Sequence, residues 1–150
     1  MHGLRPQVVQ ANISYSHRKG TVRGMHYQLP PATEPKFIRC IRGAIWDVII
    51  DMRPESPTYR KHFAIELSAD NRKALYVPDM FAHGNQSLTD EAELLYLVGE
   101  YYTPGYERGV RYDDPAIGIE WPLPVTVISD KDASWPWLET RREMLTGREA

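Results

Sequence analysis

The sequence predicts an all-β fold of short antiparallel strands, arranged as a sandwich or a barrel. Apolar and β-branched residues occur in short runs that are separated by turns rich in Gly, Pro, Asn and Asp. Many such strands at regular spacing are typical of antiparallel sandwiches and barrels. The chain has 150 residues and no repeat, low-complexity tract or linker, so we expect one domain spanning residues 1–150.

The first strand candidates lie on either side of a glycine. Residues 37–41 form one candidate, and the pair Arg42-Gly43 ends it. Residues 44–52 follow as an apolar run rich in branched side chains, which indicates a buried strand. The sequence Pro-Glu-Ser-Pro at 54–57 then forces a turn.

The later candidates continue this pattern. Residues 62–68 alternate apolar and more polar side chains with the period of a half-buried strand. We also predict strands over residues 74–77, 93–102 and 117–121. Only residues 135–148 could hold a helix of any length, so a short C-terminal helix is expected there.

Composition limits the possible partners and compartments. The net charge of -2 and the pI near 6.2 give no reason to expect a nucleic-acid or anionic-membrane partner. No apolar stretch approaches the roughly 20 residues that span a bilayer, and the amino terminus lacks a secretory pattern. We therefore expect a cytoplasmic protein. The single cysteine, Cys40, lies in an apolar run and is expected to be a buried structural thiol.

The most informative segment is the hexapeptide Arg-Gly-Met-His-Tyr-Gln at residues 23–28. It is accompanied by Lys36, by Phe-Ala-His-Gly at 81–84, by Tyr96 and by Asp-Lys-Asp at 130–132. Together these segments resemble the dTDP-4-dehydrorhamnose 3,5-epimerase family, and the resemblance extends over most of the chain.

The resemblance implies a cupin-type antiparallel jelly roll and an isomerase that needs neither a cofactor nor a metal. Members of this family invert carbons beside a sugar ketone. The expected substrate is a nucleotide-linked 4-keto-6-deoxy sugar, with dTDP as the expected nucleotide. Inversion at carbon 3, carbon 5 or both would then belong to the biosynthesis of rhamnose-type deoxysugars. A homodimer is also expected.

Inversion beside a ketone requires three groups: a base at the carbon, a cation or donor at the oxygen, and an acid on the opposite face. The resemblance assigns these roles to His26, Lys36 and Tyr96, in that order. An ordinary imidazole is largely neutral at pH 7 and can therefore accept a proton. Asp132 matches the family position for a carboxylate that accepts the other ring N–H and fixes the tautomer.

Each of these residues could instead have a purely structural role. His26 could be a strand histidine with a satisfied hydrogen bond, and Asp132 could simply start a turn. Lys36 shares a predicted strand face with Ile38, where its ammonium needs a partner, unless it is a solvated lysine at a strand end. Tyr96 could be an ordinary core tyrosine.

Arg23 is expected to hold a diphosphate, because a planar guanidinium can bind two oxygens at once. A surface salt bridge is the alternative. Strict alternation along a strand would place Arg23 and His26 on opposite faces. We therefore expect either a bulge between them or a strand end at Arg23.

The resemblance assigns further substrate contacts to residues spread along the chain. They are His83, Asn12, Gln10, Gln28, Tyr101 and Tyr102. For the two tyrosines, exposed aromatic residues at a strand edge are the alternative. Met80 stands where the family usually has a glycine and Asn85 where it usually has a phenylalanine, so we expect a different local turn and pocket wall.

The amino-terminal segment of the chain also departs from the family pattern. Family members generally carry some tens of residues before the Gln-x-Asn segment, including a Phe-x-Asp-x-Arg-Gly stretch that crosses to the partner subunit. This sequence starts nine residues before Gln10. We expect either a trimmed chain or a short variant with a more open nucleotide pocket.

Two other classes of protein compete with this interpretation. A metal-dependent cupin would use His26 and His83 with a carboxylate as ligands. Such sites usually supply a His-x-His pair, but Gln28 stands two residues after His26. The second class is a catalytically silent cupin that only binds a sugar nucleotide. The short amino-terminal segment and the asparagine at position 85 would fit such a protein.

Overall fold

The computed structural model describes residues 3–5 and 7–138. Within them the chain forms the strands β1 Gln10–Ser16, β2 Val22–Gln28, β3 Lys36–Arg42, β4 Ala44–Asp51, β5 His62–Ser68, β6 Ala74–Val77, β7 Phe81–Ser87, β8 Ala92–Val98 and β9 Glu107–Gly109. One short helix, α1, covers Asp130–Ala133. None of the described residues forms a helix long and apolar enough to cross a membrane.

The strands form two antiparallel sheets. One has the order β1-β8-β3-β6, and the other has the order β5-β4-β7-β2-β9. A buried cluster joins Ile38 and Leu94 of the first sheet to Ile45 and Leu67 of the second, so the two sheets pack face to face. The predicted all-β, cupin-type jelly roll is confirmed.

Strand β4 is buried on both faces, and this explains its apolar sequence. Ile45 and Ile49 enter the cluster between the sheets, whereas Val48 and Ile50 enter a second cluster on the opposite face of the same sheet. A strand covered on both faces reads as a continuous apolar run instead of an alternating one. The buried strand predicted over 44–52 is confirmed, although β4 ends one residue earlier.

Other strand predictions differ in their accuracy. The predictions over 62–68 and 74–77 match β5 and β6, and residues 37–41 lie within β3. The prediction over 93–102 is too long, because β8 ends at Val98. The chain leaves the sheet at Gly99, whose N–H donates to the Pro35 carbonyl at 2.9 Å.

The strand predicted over 117–121 is wrong. The N–H of Ile117 donates to the Asp114 carbonyl at 3.1 Å in a turn, and Gly118 follows with a φ of +72°. Ile117 and Trp121 nevertheless pack into the second cluster, on the outer face of the five-stranded sheet. The segment is apolar because it covers a sheet, not because it pairs within one.

The helix predicted over 135–148 is wrong for its described part. Residues 135–138 are not helical, and residues 139–148 lie outside the described residues. Pro136 disfavours the helical conformation for the residue before it. The helix that does form, α1, lies just upstream and is capped by Ser129, whose Oγ accepts the Asp132 N–H at 3.1 Å.

The prediction for Cys40 is confirmed. Its side chain is fully buried between the sheets. The thiol donates to the carbonyls of Arg42 and Gly43, each at 3.3 Å. Burial raises the pKa of the Cys40 thiol above its ordinary value, so this cysteine stays protonated as a structural residue.

Candidate active site

A cavity of about 400 Å³ lies between the two sheets and collects most of the predicted site residues. Those that line it are Gln10, Asn12, Arg23, His26, Gln28, Lys36, His83, Tyr96, Tyr102 and Asp132. Tyr101 is 57% exposed and does not line the cavity. Segments far apart in sequence therefore converge on one chamber.

Alternation in the four-stranded sheet determines which of its side chains face the cavity. Asn12 of β1 lies opposite Tyr96 of β8, which in turn lies opposite Ile38 of β3. Lys36 begins β3 and is buried on the same face as Ile38, as the sequence predicts. Tyr96 is half-buried and packs against the cluster between the sheets, so its ring is held at the cavity wall.

Strand β2 carries an irregularity that brings Arg23 and His26 to the same cavity. The register between β2 and β7 shifts between these two residues, so the expected bulge is confirmed. Gly24 lies inside it with a φ of +110°, and a Cβ at that position would be 2.6 Å from the His83 carbonyl oxygen. Only glycine fits this close approach without strain.

His26 is paired with Asp132. The imidazole Nε2 lies 2.5 Å from Asp132 Oδ1, and the second carboxylate oxygen accepts the Gly24 N–H at 3.1 Å. The Trp135 ring contacts the imidazole edge-to-face at a centroid distance of 6.0 Å. The histidine is thus oriented from two sides while 34% of its side chain stays exposed.

The electrostatics of Asp132 reflect this environment. Its side chain is 8% exposed, and burial alone would raise its pKa. Hydrogen bonding to His26, attraction to that ring and the Gly24 N–H outweigh burial, so the pKa of the carboxyl lies below its ordinary value. Asp132 is therefore an ionised acceptor near neutral pH, suited to orienting an imidazole.

Lys36 also has a carboxylate partner. Its Nζ lies 3.3 Å from Glu34 Oε1, and the two side chains are only 10% and 16% exposed. Both residues line the cavity. Lys36 is therefore a largely buried ammonium with a paired charge, in contrast to the solvated strand-end lysine that the sequence left open.

A second histidine of the cavity wall, His83, is paired with a residue that the sequence analysis missed. Its Nε2 lies 2.7 Å from Oδ1 of Asp47, a fully buried residue of the neighbouring strand β4. A carboxylate within an apolar run is costly without a partner. The position of Asp47 in that run was therefore a signal that it had one.

Arg23 spans from β2 to β1. Its Nε donates to Ser16 Oγ at 3.2 Å and its Nη2 donates to the Tyr15 carbonyl at 2.8 Å. The side chain is exposed and lines the cavity. These two contacts hold the guanidinium beside the cavity and leave further N–H donors for an anion.

Gln28 is buried and organises the loops around the cavity. Its Nε2 donates to the carbonyls of Ala32 at 2.8 Å and Tyr101 at 3.1 Å, and its Oε1 accepts the Thr103 N–H at 2.8 Å. These bonds use both of its N–H donors. A contact between Gln28 and a substrate stays a prediction.

The two residues that differ from the family pattern around His83, Met80 and Asn85, affect the local structure. Met80 adopts a φ of +62°, the left-handed region that a glycine enters freely. Its carbonyl still accepts the Met52 N–H at 3.0 Å. Asn85 is nearly buried on β7 and contributes to the cavity wall, so this part of the wall is polar.

Further lining residues were not predicted from the sequence: Ser14, Glu34 and Glu107. Glu107 is paired with Lys131, whose Nζ lies 2.8 Å and 3.0 Å from its two carboxylate oxygens. Across residues 3–5 and 7–138, no three His, Cys, Asp or Glu side chains come together as a metal site would require.

Comparison with known proteins identifies the family of this chain. A sequence model of the dTDP-4-dehydrorhamnose 3,5-epimerase family matches residues 1–140. An enzyme of that name from Sinorhizobium fredii is 48% identical to this chain over 132 residues, which are 87% of this chain and 68% of the relative.

Solved structures share the fold over most of its length. The dTDP-4-dehydrorhamnose 3,5-epimerase from Bacillus anthracis, with TDP and PPi bound, gives a TM-score of 0.88 at 42% identity and covers 91% of this chain and 78% of its own. The dTDP-6-deoxy-D-glucose-3,5-epimerase from Legionella pneumophila, in complex with dTDP-4-keto-L-rhamnose, gives 0.84 at 36% identity and covers 90% and 71%. On this evidence the chain belongs to the dTDP-4-dehydrorhamnose 3,5-epimerase family of isomerases.

Proposed function

We propose that this chain epimerises a dTDP-linked 4-keto-6-deoxy sugar at carbon 3, carbon 5 or both. The observation that carries the proposal is the convergence of the His26–Asp132 pair, Lys36 and Tyr96 on one cavity. These groups supply a base, a cation and an acid, which are the three functions that inversion beside a ketone requires.

His26 acts as the base. Because its Nε2–H donates to Asp132, the neutral ring carries its free lone pair on Nδ1. That nitrogen takes the proton as the C–H bond breaks, and the electron pair moves into the ketone to form an enolate. The carboxylate of Asp132 stabilises the imidazolium that results.

Lys36 and Tyr96 complete the reaction. The Lys36 ammonium stabilises the negative charge that develops on the ketone oxygen. The Tyr96 hydroxyl then protonates the carbon from the face opposite His26 and the enolate returns to a ketone. The phenolate regains a proton from solvent, and the His26 imidazolium releases its proton to solvent, so both residues return to their starting states. The product is the epimer of the substrate, with no change in composition.

Arg23 binds the diphosphate through its remaining guanidinium donors. Gln10, Asn12, Gln28, His83 and Tyr102 contact the sugar and the nucleotide from the cavity wall, and Tyr101 contacts the nucleotide from outside this wall. The ligands in the two related structures, TDP with PPi and dTDP-4-keto-L-rhamnose, support a dTDP-linked substrate for this chain. Such a reaction belongs to the biosynthesis of rhamnose-type deoxysugars.

The test is incubation with dTDP-4-keto-6-deoxyglucose in heavy water, with the incorporated deuterium located by NMR. We expect deuterium at carbon 3, carbon 5 or both, together with an inverted product. Binding of the sugar nucleotide without incorporation would instead make the chain a silent sugar-nucleotide-binding cupin.

The variant Tyr96→Phe separates the two halves of the reaction. If Tyr96 is the acid, this variant still exchanges substrate hydrogen with solvent while inverted product falls steeply, because abstraction and reprotonation use different groups. Tyr106→Phe is the control, since Tyr106 is exposed and does not line the cavity. Equal loss of exchange and inversion would argue against Tyr96 as the acid.

We further propose a cytoplasmic homodimer. The buried free thiol of Cys40, the one cysteine of the sequence, suits a reducing compartment. The outer face of the four-stranded sheet exposes Ile13 and Phe37, which are 65% and 43% exposed and lie opposite Leu95 and Leu97. An apolar face of this kind favours association with a second copy.

Sedimentation velocity tests the dimer, with Ile13→Asp as the disruptive variant. The control is Phe63→Asp, because Phe63 is 50% exposed but lies on β5 of the other sheet. We expect the wild-type chain and Phe63→Asp to sediment as dimers and Ile13→Asp as a monomer. A monomeric wild-type chain would contradict the proposal.

A further inference from the structure

We propose that Glu34 is a positioning residue that acts through Lys36, holding its ammonium fixed at the cavity wall. The inference rests on the proposed function, because it concerns how Lys36 reaches the developing oxyanion. Glu34 would not contact the reacting atoms itself.

The first argument is the burial of the pair. With 10% of its side chain exposed, Lys36 has lost most of the water that would solvate an ammonium, and such a group is costly to bury without a partner. The Glu34 carboxylate at 3.3 Å is itself largely buried. An attraction between two such charges is only weakly screened by solvent, so it holds the Lys36 ammonium beside Glu34.

The second argument is that the other carboxylates on the described cavity wall are already engaged. Asp132 is paired with His26, and Glu107 is paired with Lys131 through both of its oxygens. Glu34 is therefore the lining carboxylate that serves the Lys36 ammonium.

The third argument is that the backbone around Glu34 is fixed. The Pro35 carbonyl accepts the Gly99 N–H at 2.9 Å, and the Ala32 carbonyl accepts from Gln28 Nε2 at 2.8 Å. The ring of Pro35 also restricts its own φ. The carboxylate is thus attached to a segment that is anchored on both sides, and it does not need to be ordered when substrate binds.

These features predict a particular kinetic effect. A cation that is already charged and in place stabilises the enolate without reorganisation. Because the negative charge on the ketone oxygen develops only during reaction, loss of Glu34 should lower kcat much more than it changes KM.

The experiment compares Glu34→Gln, Glu34→Asp and a matched control, Glu91→Gln. The glutamine variant keeps the size of the side chain and removes its charge, while the aspartate variant keeps the charge. Glu91 forms an ion pair with Arg42 at 2.9 Å, but that pair is exposed and lies outside the cavity. We expect Glu34→Gln to lower kcat about tenfold with KM changed less than about twofold, Glu34→Asp to recover part of the loss, and Glu91→Gln to behave as wild type.

A second measurement does not depend on turnover. Limiting acetic anhydride acylates lysine amines that are free to react, and mass spectrometry of peptides reports the labelling rate at Lys36, which pairing with Glu34 should slow. We expect Lys36 to react several times faster in Glu34→Gln than in the wild type or Glu91→Gln. Unchanged labelling and unchanged kcat in Glu34→Gln would overturn the inference, and a raised KM with unchanged kcat would make Glu34 a substrate ligand instead.

The two measurements also distinguish the inference from the proposed function. A wild-type chain that exchanges no substrate hydrogen would contradict the epimerase assignment. The labelling rates would still decide whether Glu34 holds the Lys36 ammonium in place.

Discussion

Two histidines of the cavity wall each have a carboxylate partner, but the two pairs differ in exposure. The His26–Asp132 pair has a separation of 2.5 Å and a histidine side chain that is 34% exposed. The His83–Asp47 pair has a separation of 2.7 Å, a histidine that is 11% exposed and a carboxylate that is fully buried. The first pair is open to the cavity, and the second is part of the sheet.

The carboxylates also differ in how completely they are satisfied. The second oxygen of Asp132 accepts the Gly24 N–H, whereas Oδ2 of Asp47 is buried and has no hydrogen-bond partner among the described residues. Within the described part of the chain, His83 is therefore the one side-chain partner of Asp47. The comparison teaches that the same pair of residue types can be placed for the proposed proton transfer in one setting and can hold two strands together in another.

The largest effect is expected for His26→Ala. Because general-base catalysis contributes about 10²- to 10⁴-fold, deuterium exchange beside the ketone should fall by that factor. His62→Ala is the control, since His62 is exposed on β5 and away from the cavity. Near-native exchange in His26→Ala would show that the base is another residue.

The next effect is on stability and concerns the buried pair. Removing one partner of a buried hydrogen bond leaves the other group unsatisfied, which typically costs about 1–3 kcal/mol, so we expect Asp47→Ala to lower the free energy of unfolding by about that much. Urea denaturation measures it. Asp70→Ala, at an exposed turn, should stay within about 0.5 kcal/mol of wild type. A loss below about 1 kcal/mol in Asp47→Ala would remove the distinction between the two pairs.

A smaller effect on rate is expected for Asp132→Asn. The amide keeps the shape of the side chain but no longer carries the charge that stabilises the imidazolium. Partners that orient a metal-ligating histidine typically contribute about 10- to 100-fold. We expect a similar contribution from Asp132, so exchange should fall less than in His26→Ala. Steady-state assays of both variants side by side give the comparison. A greater loss in Asp132→Asn than in His26→Ala would contradict the assigned roles.

The smallest effect is a dependence of stability on pH. The folded-state pKa of Asp132 lies below its ordinary value, so its ionised form stabilises the folded protein. This contribution is present above the unfolded-state pKa of about 3.9 and is lost as the pH falls through the lower folded-state pKa. The stability difference between wild type and Asp132→Asn should therefore shrink on acidification below about pH 4. Urea denaturation midpoints of both proteins, measured from pH 6 to pH 3, test this prediction. A stability difference that stays constant over this range would contradict it.

Much of the site could be predicted from the sequence because its motifs are local. The hexapeptide at 23–28 and the residues Lys36, Tyr96 and Asp132 are identified from short segments. Lys36, Tyr96, Asp132 and four side chains of the hexapeptide, those of Arg23, His26, Tyr27 and Gln28, line the cavity. Glu34 was missed because a glutamate between a threonine and a proline gives no signal of burial. Its pairing with Lys36 depends on how that loop packs against the sheet.

The sequence by itself determined the strands with local alternation. His62–Ser68 and Ala74–Val77 were predicted with their observed bounds, because side-chain period is a property of residues two positions apart. Only the tertiary structure decided which strands pair and which apolar segments cover a sheet. The segment 117–121 was predicted as a strand but packs against the five-stranded sheet. Asp47 lies in an apolar strand because the neighbouring strand β7 places its partner His83 beside it. The pairing of strands and the covering of a sheet by an apolar segment depend on contacts between residues that are distant in sequence, so no local pattern predicts them.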